Sequence, residues 1–378
     1  MSSSRIRLAP LVLACAILLI NVAPMAQPAG GRNLILITLD GARTQEIFGG
    51  LDIAVLRAGL KKDERLEDTR AYKEYWAETP EARRAKVMPF FWTEWVVSHG
   101  SIAGNRALGS RFGITNTRRF SYPGYAEILT GEAHDAVIDS NDNRRYPFPT
   151  VLDVLKRRLS LSREQVAAFG SWETFRWITS SQEDAFVVNA GYQAFPSDRP
   201  DVQRLSRAQF ETETAWDTVR NDMYTFRLAL AHLATARPRV LYLALGETDD
   251  WAHGGRYDRV LQTLGRTDAW FRELWTWVQA DPQYRDNTAI LITVDHGRGR
   301  TPEDWGKHGD TIDGAQETWL AAIGPDWPRR GEWTNAPDAF TNQIAATGAR
   351  VLGVDLRNDI PNAAAPIEYL WTRSTLQN

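Results

Sequence analysis

LILITLDGAR, residues 34–43, is an apolar run rich in β-branched side chains that stops abruptly at Asp40 and Gly41. A continuous apolar run of this kind reads as a strand of a parallel sheet buried on both faces. Two other stretches repeat the form: VLYLAL (240–245) runs toward Asp249, and AILITV (289–294) runs into Asp295. Three strands that each deliver a carboxylate to one edge predict an α/β fold with a mostly parallel central sheet and helices on both faces. In such sheets, ligands bind in the crevice beyond the carboxyl ends of the strands.

The residues at those strand exits suit metal ligation. In TDDWAHGG (248–255), Asp249 and His253 lie four apart and project from one side of a helical turn. In TVDHGRG (293–299), Asp295 and His296 enter a glycine-flanked loop whose backbone can turn consecutive side chains to one center. His308, in WGKHGD (305–310), also neighbors glycine. Taken singly, these residues have ordinary readings: a carboxylate capping a helix, a histidine satisfied by a carbonyl, a histidine in solvent. The chain has only six histidines, and three of them fall in this pattern, so the set as a whole reads as a metal site.

A hydroxyl nucleophile comes from RRFSYPGYAEILTG (118–131). Pro123 is placed to start a helix that carries Tyr125, Ile128 and Leu129 on an apolar face and stops at Gly131. Ser121 then sits at the helix N-terminus, where free amides and the helix dipole favor an anionic phosphoryl or sulfuryl group. Capping is the ordinary role of a serine in that position.

In their order and spacing LDGAR, FSYPGYAEILTG, GETDDWAH, TVDHG and KHGDT resemble the alkaline phosphatase superfamily. The style is closest to its nucleotide pyrophosphatase/phosphodiesterase and phosphoglyceromutase-like branches. The tail FTNQIAATGARVLGVD (340–355) is similar to the helix that often closes these domains, so the resemblance covers most of the chain. It implies an alkaline-phosphatase-like fold in which Asp249, His253 and His308 hold one zinc, and Asp40, Asp295, His296 and the Ser121 hydroxyl hold the other. Two metals about 4 Å apart clamp the attacking and leaving oxygens of an in-line displacement, and mixed His and carboxylate ligands suit zinc better than magnesium. A general base alone gives roughly 10²- to 10⁴-fold, far short of what phosphate ester hydrolysis requires. Ser121 is therefore expected to form a covalent phosphoseryl intermediate that water then hydrolyzes.

Three departures bear on the substrate. Gly124 stands where diesterase members tend to have an asparagine that holds the phosphate. Tyr125 stands where sulfatases have the arginine that helps signal conversion of the first motif residue to formylglycine. The further acidic ligand that alkaline phosphatases use for a third, magnesium site is missing. The expected activity is hydrolysis of a small-molecule phosphate ester, monoester or diester. The alternatives are a sulfatase-like hydrolase, a phosphomutase, or an exported binding protein without turnover.

A chain of 378 residues with 43% hydrophobic content can form one large domain (31–378) with a substantial core. A formal net charge of −3 excludes nucleic acid as the main partner, which would require a basic face. Arg5 and Arg7 precede an apolar stretch from Leu8 to Ile20, with Ala23 and Ala26 beyond it; this reads as a signal peptide over 1–26 and a periplasmic or secreted enzyme. The single cysteine, Cys15, lies inside that segment, so the mature protein has no thiol. A lipobox at VLAC is the weaker reading, since most of the apolar run follows the cysteine. No second apolar stretch is long enough to span a bilayer after signal cleavage. Residues 51–97, charged and helical in character, are expected as an insertion packed near the site mouth. PTVLDVLKRRL (149–159) reads as a helix and VAAFG (166–170) as a strand. The aromatics of the following SWETFRW suit either a leaving-group pocket or the core.

Overall fold

The computed structural model describes residues 31–214 and 216–372; the expected signal peptide lies outside the described residues. Among the described residues eleven strands form in chain order: β1 (33–39), β2 (100–103), β3 (112–113), β4 (166–170), β5 (187–190), β6 (240–245), β7 (288–293), β8 (317–318), β9 (320–323), β10 (331–332) and β11 (339–340). Eight make one sheet in the order β10-β2-β9-β7-β1-β6-β4-β5, and β11-β3-β8 make a small second sheet. In the large sheet β9 alone runs antiparallel to its neighbors β7 and β2, and the other pairings are parallel.

Because β1 lies between β6 and β7, the three carboxylate-bearing strands are adjacent at the center of the sheet. Leu34 and Leu36 point into the core on one face, Ile35 and Ile37 into the core on the other. Helices cover both faces, which is why the central strands read as unbroken apolar runs. The first face carries Ser121–Thr130, Val151–Arg158 and Ile344–Val351; the second carries Asp222–Ala236 and the long Tyr257–Ala280. Among the described residues no helix is long and apolar enough to cross a membrane.

Residues 51–97 are helical as expected, in several short pieces. Their expected place is not what the structure shows. Phe91 and Trp95 pack on Phe271 of the long helix, and no residue of 51–97 lines the cleft beside Ser121. The cause is aromatic: PFFWTEW (89–95) supplies apolar surface that is worth more against the core than at a wet mouth.

The helix Ser121–Thr130 is fixed to the body by Glu127. Its fully buried carboxylate accepts from the amides of Thr115 and Asn116 (both 2.8 Å), the Asn116 side chain (2.7 Å) and the Thr341 hydroxyl (2.6 Å). One side chain thus ties the loop before Ser121 to the start of the C-terminal helical segment. Glu127→Ala would orphan several buried donors and is expected to lower stability by roughly 3 kcal/mol. Urea unfolding measures this directly, and an unchanged midpoint would contradict it.

Candidate active site

Backbone geometry brings the ligand residues together. Asp40 follows β1, Asp249 and His253 lie on the short helix Glu247–His253 after β6, and Asp295 and His296 follow β7. Ser121 is the first residue of its helix, which ends at Gly131 in the left-handed region (φ +86°). The N-cap position is held by Phe120, one residue earlier, and the Ser121 hydroxyl meets His296 Nε2 at 3.4 Å. The capping role that a serine ordinarily plays here is therefore not the one it adopts.

The donors fall into two groups. Asp40, Asp295 and His296 form a buried set, with His296 Nε2 at 3.5 Å from Asp40 Oδ1 and 3.3 Å from Asp295 Oδ2. Asp249, His253 and His308 form the second: His253 Nε2 lies 3.3 Å from Asp249 Oδ2 and 2.9 Å from His308 Nε2. His296 Nε2 is 3.9 Å from Asp249 Oδ1, so the two sets adjoin. Asp40 Oδ1 and Asp295 Oδ2 are buried without a hydrogen-bond partner among the described residues. Orphaned buried carboxylate oxygens are costly unless a cation completes them, and the donor set fits two divalent metals.

Electrostatics agree. Burial, and then the nearby Asp40 charge, hold the Asp295 carboxyl well above the ordinary carboxylate range. Burial lowers His253, His296 and His308, leaving these imidazoles neutral as ligation requires. In the protein alone, the site is short of positive charge.

Partners beyond the ligands orient them. Tyr125 donates to Asp40 Oδ2 (2.9 Å), and the Gly41 amide donates to Asp295 Oδ1 (3.1 Å). The His296 Nδ1 atom faces the Gly297 carbonyl (2.9 Å), and His308 Nδ1 faces that of Arg119 (3.2 Å). Arg119 is held in the left-handed region (φ +56°), and its amide donates to Asn116 Oδ1 (2.8 Å). The fully buried Arg298 guanidinium packs against Asp249 and donates to the Gly306 carbonyl (2.7 Å); burial lowers it to about 9.

Gly124 cannot carry the missing asparagine. A Cβ there would stand 2.4 Å from the Asp295 carbonyl oxygen, closer than any side chain tolerates. A different asparagine reaches the cleft: Asn141 lines it beside Ser121, its Oδ1 accepting from the Tyr122 amide (3.0 Å). Sequence reading missed Asn141, whose only signal is the turn-like SNDN (140–143). The same contact narrows what the helix N-terminus offers an anion. Tyr122 N–H is already engaged and Pro123 has none, which leaves the Ser121 amide. Of the SWETFRW aromatics, Trp172 lines the cleft, whereas Phe175 packs in the core against Tyr125 and Tyr242.

No family model matches the chain, and no curated protein sequence matches it. Solved structures do. A mutant of the alkaline phosphatase PafA aligns with a TM-score of 0.59 at 10% identity, covering 91% of this chain and 100% of that one. A phosphonate monoester hydrolase from Silicibacter pomeroyi gives 0.57 at 12% identity (92% and 78%), and a 2-O GAG sulfatase gives 0.54 at 13% (92% and 76%). Another match is a protein in the alkaline phosphatase superfamily from Vibrio parahaemolyticus (TM-score 0.50, 12% identity, 87% and 68%). The chain has the fold of the alkaline phosphatase superfamily.

Replacing His253, His296 or His308 by Ala is expected to lower bound metal, read by elemental analysis of the purified protein; two equivalents retained in His308→Ala would remove that loop from the site. Tyr125→Phe, which deletes only the bond to Asp40, is expected to weaken metal affinity by about 10- to 100-fold in a chelator competition assay.

Proposed function

We propose that the chain is an exported two-metal hydrolase of phosphoric esters, a member of the alkaline phosphatase superfamily, with Ser121 as nucleophile. The observation that carries this reading is the Ser121 hydroxyl at the head of its helix, 3.4 Å from His296 and beside two adjoining metal donor sets. Asp40, Asp295 and His296 would hold one ion near the serine, and Asp249, His253 and His308 the other; their mixed oxygen and nitrogen donors suit zinc. When bound, the ions would supply positive charge for the attacking and leaving oxygens. The rest falls to the chain itself. Ser121 attacks phosphorus and gives up its proton, the ester oxygen departs with the electron pair of its bond and takes up a proton as the free alcohol, and water then cleaves the phosphoserine, its hydroxyl going to phosphorus and its proton restoring the serine. Asn141 leaves its amide N–H₂ for a phosphate oxygen, in place of the asparagine that position 124 excludes.

Phosphate is favored over sulfate by Tyr125. Its hydroxyl is committed to Asp40 and stands where the formylglycine signal would need arginine, so residue 121 stays an ordinary serine. Two divalent ions also complement a phosphate monoester dianion better than a sulfate ester monoanion, since attraction scales with the product of the charges. The superfamily fold is shared by enzymes for both, so rates decide. p-Nitrophenyl phosphate and its phenyl diester are expected to be cleaved orders of magnitude faster than p-nitrophenyl sulfate, with activity lost to chelator and regained with zinc. An aldehyde at residue 121 by intact-mass analysis, or faster sulfate release, would overturn the assignment.

Ser121→Ala is expected to abolish nearly all turnover while keeping its metal, because the hydroxyl serves the covalent step more than binding. Activity within a few-fold of the parent would leave direct attack by water as the better mechanism.

A further inference from the structure

One wall of the cleft beside Ser121 is built by a pairing outside the sheets. Residues 171–173 run antiparallel to 218–220 through the Trp172–Val219 bridge, with the Glu173 amide donating to the Thr218 carbonyl (2.9 Å) and the Arg220 amide to that of Ser171 (3.0 Å). Trp172, Trp216, Thr218 and Val219 line the cleft from this side. The last three belong to an excursion of the chain, 191–219, that leaves after β5 and returns at the helix Asp222–Ala236. Apolar packing anchors its first part, with Phe195 against Phe169 and Val202 in the core. The second part, QFETETAWDTV (209–219), carries the cleft residues and is too polar to be held in that way alone.

Arg220 supplies the missing hold. Its side chain is fully buried, and among the described residues its guanidinium donates to neutral acceptors only: Nε to Thr225 Oγ1 (2.8 Å), Nη1 to Asn189 Oδ1 (2.7 Å) and Gln209 Oε1 (3.1 Å), and Nη2 to the Asn189 carbonyl (3.1 Å). These acceptors are buried and committed in turn. The side-chain amides of Asn189 and Gln209 both donate to the Gln193 carbonyl (3.2 and 3.0 Å), and Gln209 donates also to that of Ser206 (2.7 Å). Asp222, two residues on, is taken by the Ser171 hydroxyl (2.6 Å) and the amides of Gly246 (2.7 Å) and Glu247 (3.0 Å). A cation sunk without an acid on it is costly and is tolerated only where hydrogen bonds surround it. Only the planar fork of an arginine reaches β5, the turn at Gln209 and the helix start from one point; a lysine ammonium is too compact. The beginning, middle and end of the excursion thus meet on a single side chain.

We infer that Arg220 is a positioning residue for the proposed ester hydrolysis: buried and out of reach of any substrate, it clamps 209–219 and so sets the wall against which the organic arm of the ester lies. This rests on the proposed reading of Ser121 and goes beyond it, by giving part of substrate selection to a polar hub outside the metal site.

The test separates the wall from the reacting center. In Arg220→Lys, KM for p-nitrophenyl phosphate and for its phenyl diester is expected to rise roughly tenfold in at least one case, with kcat changed little. The inhibition constant of inorganic phosphate, which has no organic arm to meet the wall, and the metal content are expected to hold. Neither KM nor that constant depends on how much of the preparation is folded. An unchanged KM for both esters, or a phosphate constant that rises in step with KM, would overturn the inference. Amide hydrogen exchange of the full chain gives a reading free of turnover: peptides from 209–219 should exchange faster in Arg220→Lys while those from β1 and β7 stay protected. Equal acceleration throughout, or none, would also overturn it. Should Arg220→Lys fail to fold, Gln209→Met removes one acceptor, leaves the other bonds of Arg220 in place, and is expected to move the same readings in the same direction. A chain that hydrolyzes no phosphate ester would refute the catalytic reading, while the exchange pattern would still decide the clamp.

Discussion

Two buried carboxylate oxygens without donors, Asp40 Oδ1 and Asp295 Oδ2, set the terms for the rest of the site. Burial and the nearby Asp40 charge make the Asp295 carboxyl resist ionization, and among the described residues no arginine or lysine pairs with either carboxylate. Arg298, the nearest guanidinium, is spent on Asp249 and a carbonyl. A divalent cation is the remaining way to settle such a pair, and the neutral histidines around it are what a cation of the zinc type would meet. Around this charge deficit the fold arranges its parts: three adjacent strand ends supply the acids, a helix start supplies the hydroxyl, and a tyrosine holds Asp40 at the correct angle.

Much of this was legible in the sequence because its signals are local. Each ligand acid follows an apolar run that is itself a strand, and the i, i+4 spacing of Asp249 and His253 survives as one helical turn, Glu247–His253. The helix from Ser121 to Thr130 ended at Gly131 as its pattern requires. VAAFG is β4 residue for residue.

What stayed hidden depends on contacts between distant segments. β8 to β11 are two to four residues long, too short for a periodic signal, and the antiparallel place of β9 is a matter of topology. Asn141 reaches the cleft from a polar loop whose composition says only that it turns. Nothing in FSYPGY reveals that Tyr125 turns its hydroxyl to Asp40, or that Arg119 adopts a left-handed backbone and offers its carbonyl to His308. Residues 51–97 read as a charged helical insertion near the site mouth, whereas their aromatic stretch 89–95 packs on the long helix, a tertiary contact that the charged composition does not reveal.

The contact between Gly124 and the Asp295 carbonyl carries a consequence for how this protein can change over generations. Position 124 is mute: any side chain there would push the helix Ser121–Thr130 away from the Asp295 backbone, so nothing can be adjusted at that point without loosening the scaffold. Under the proposed function the amide facing a phosphate oxygen would come instead from Asn141, on a polar loop. On that reading, chemistry and choice of substrate would be written into separate pieces of the chain. Selection can rewrite the second without reopening the first.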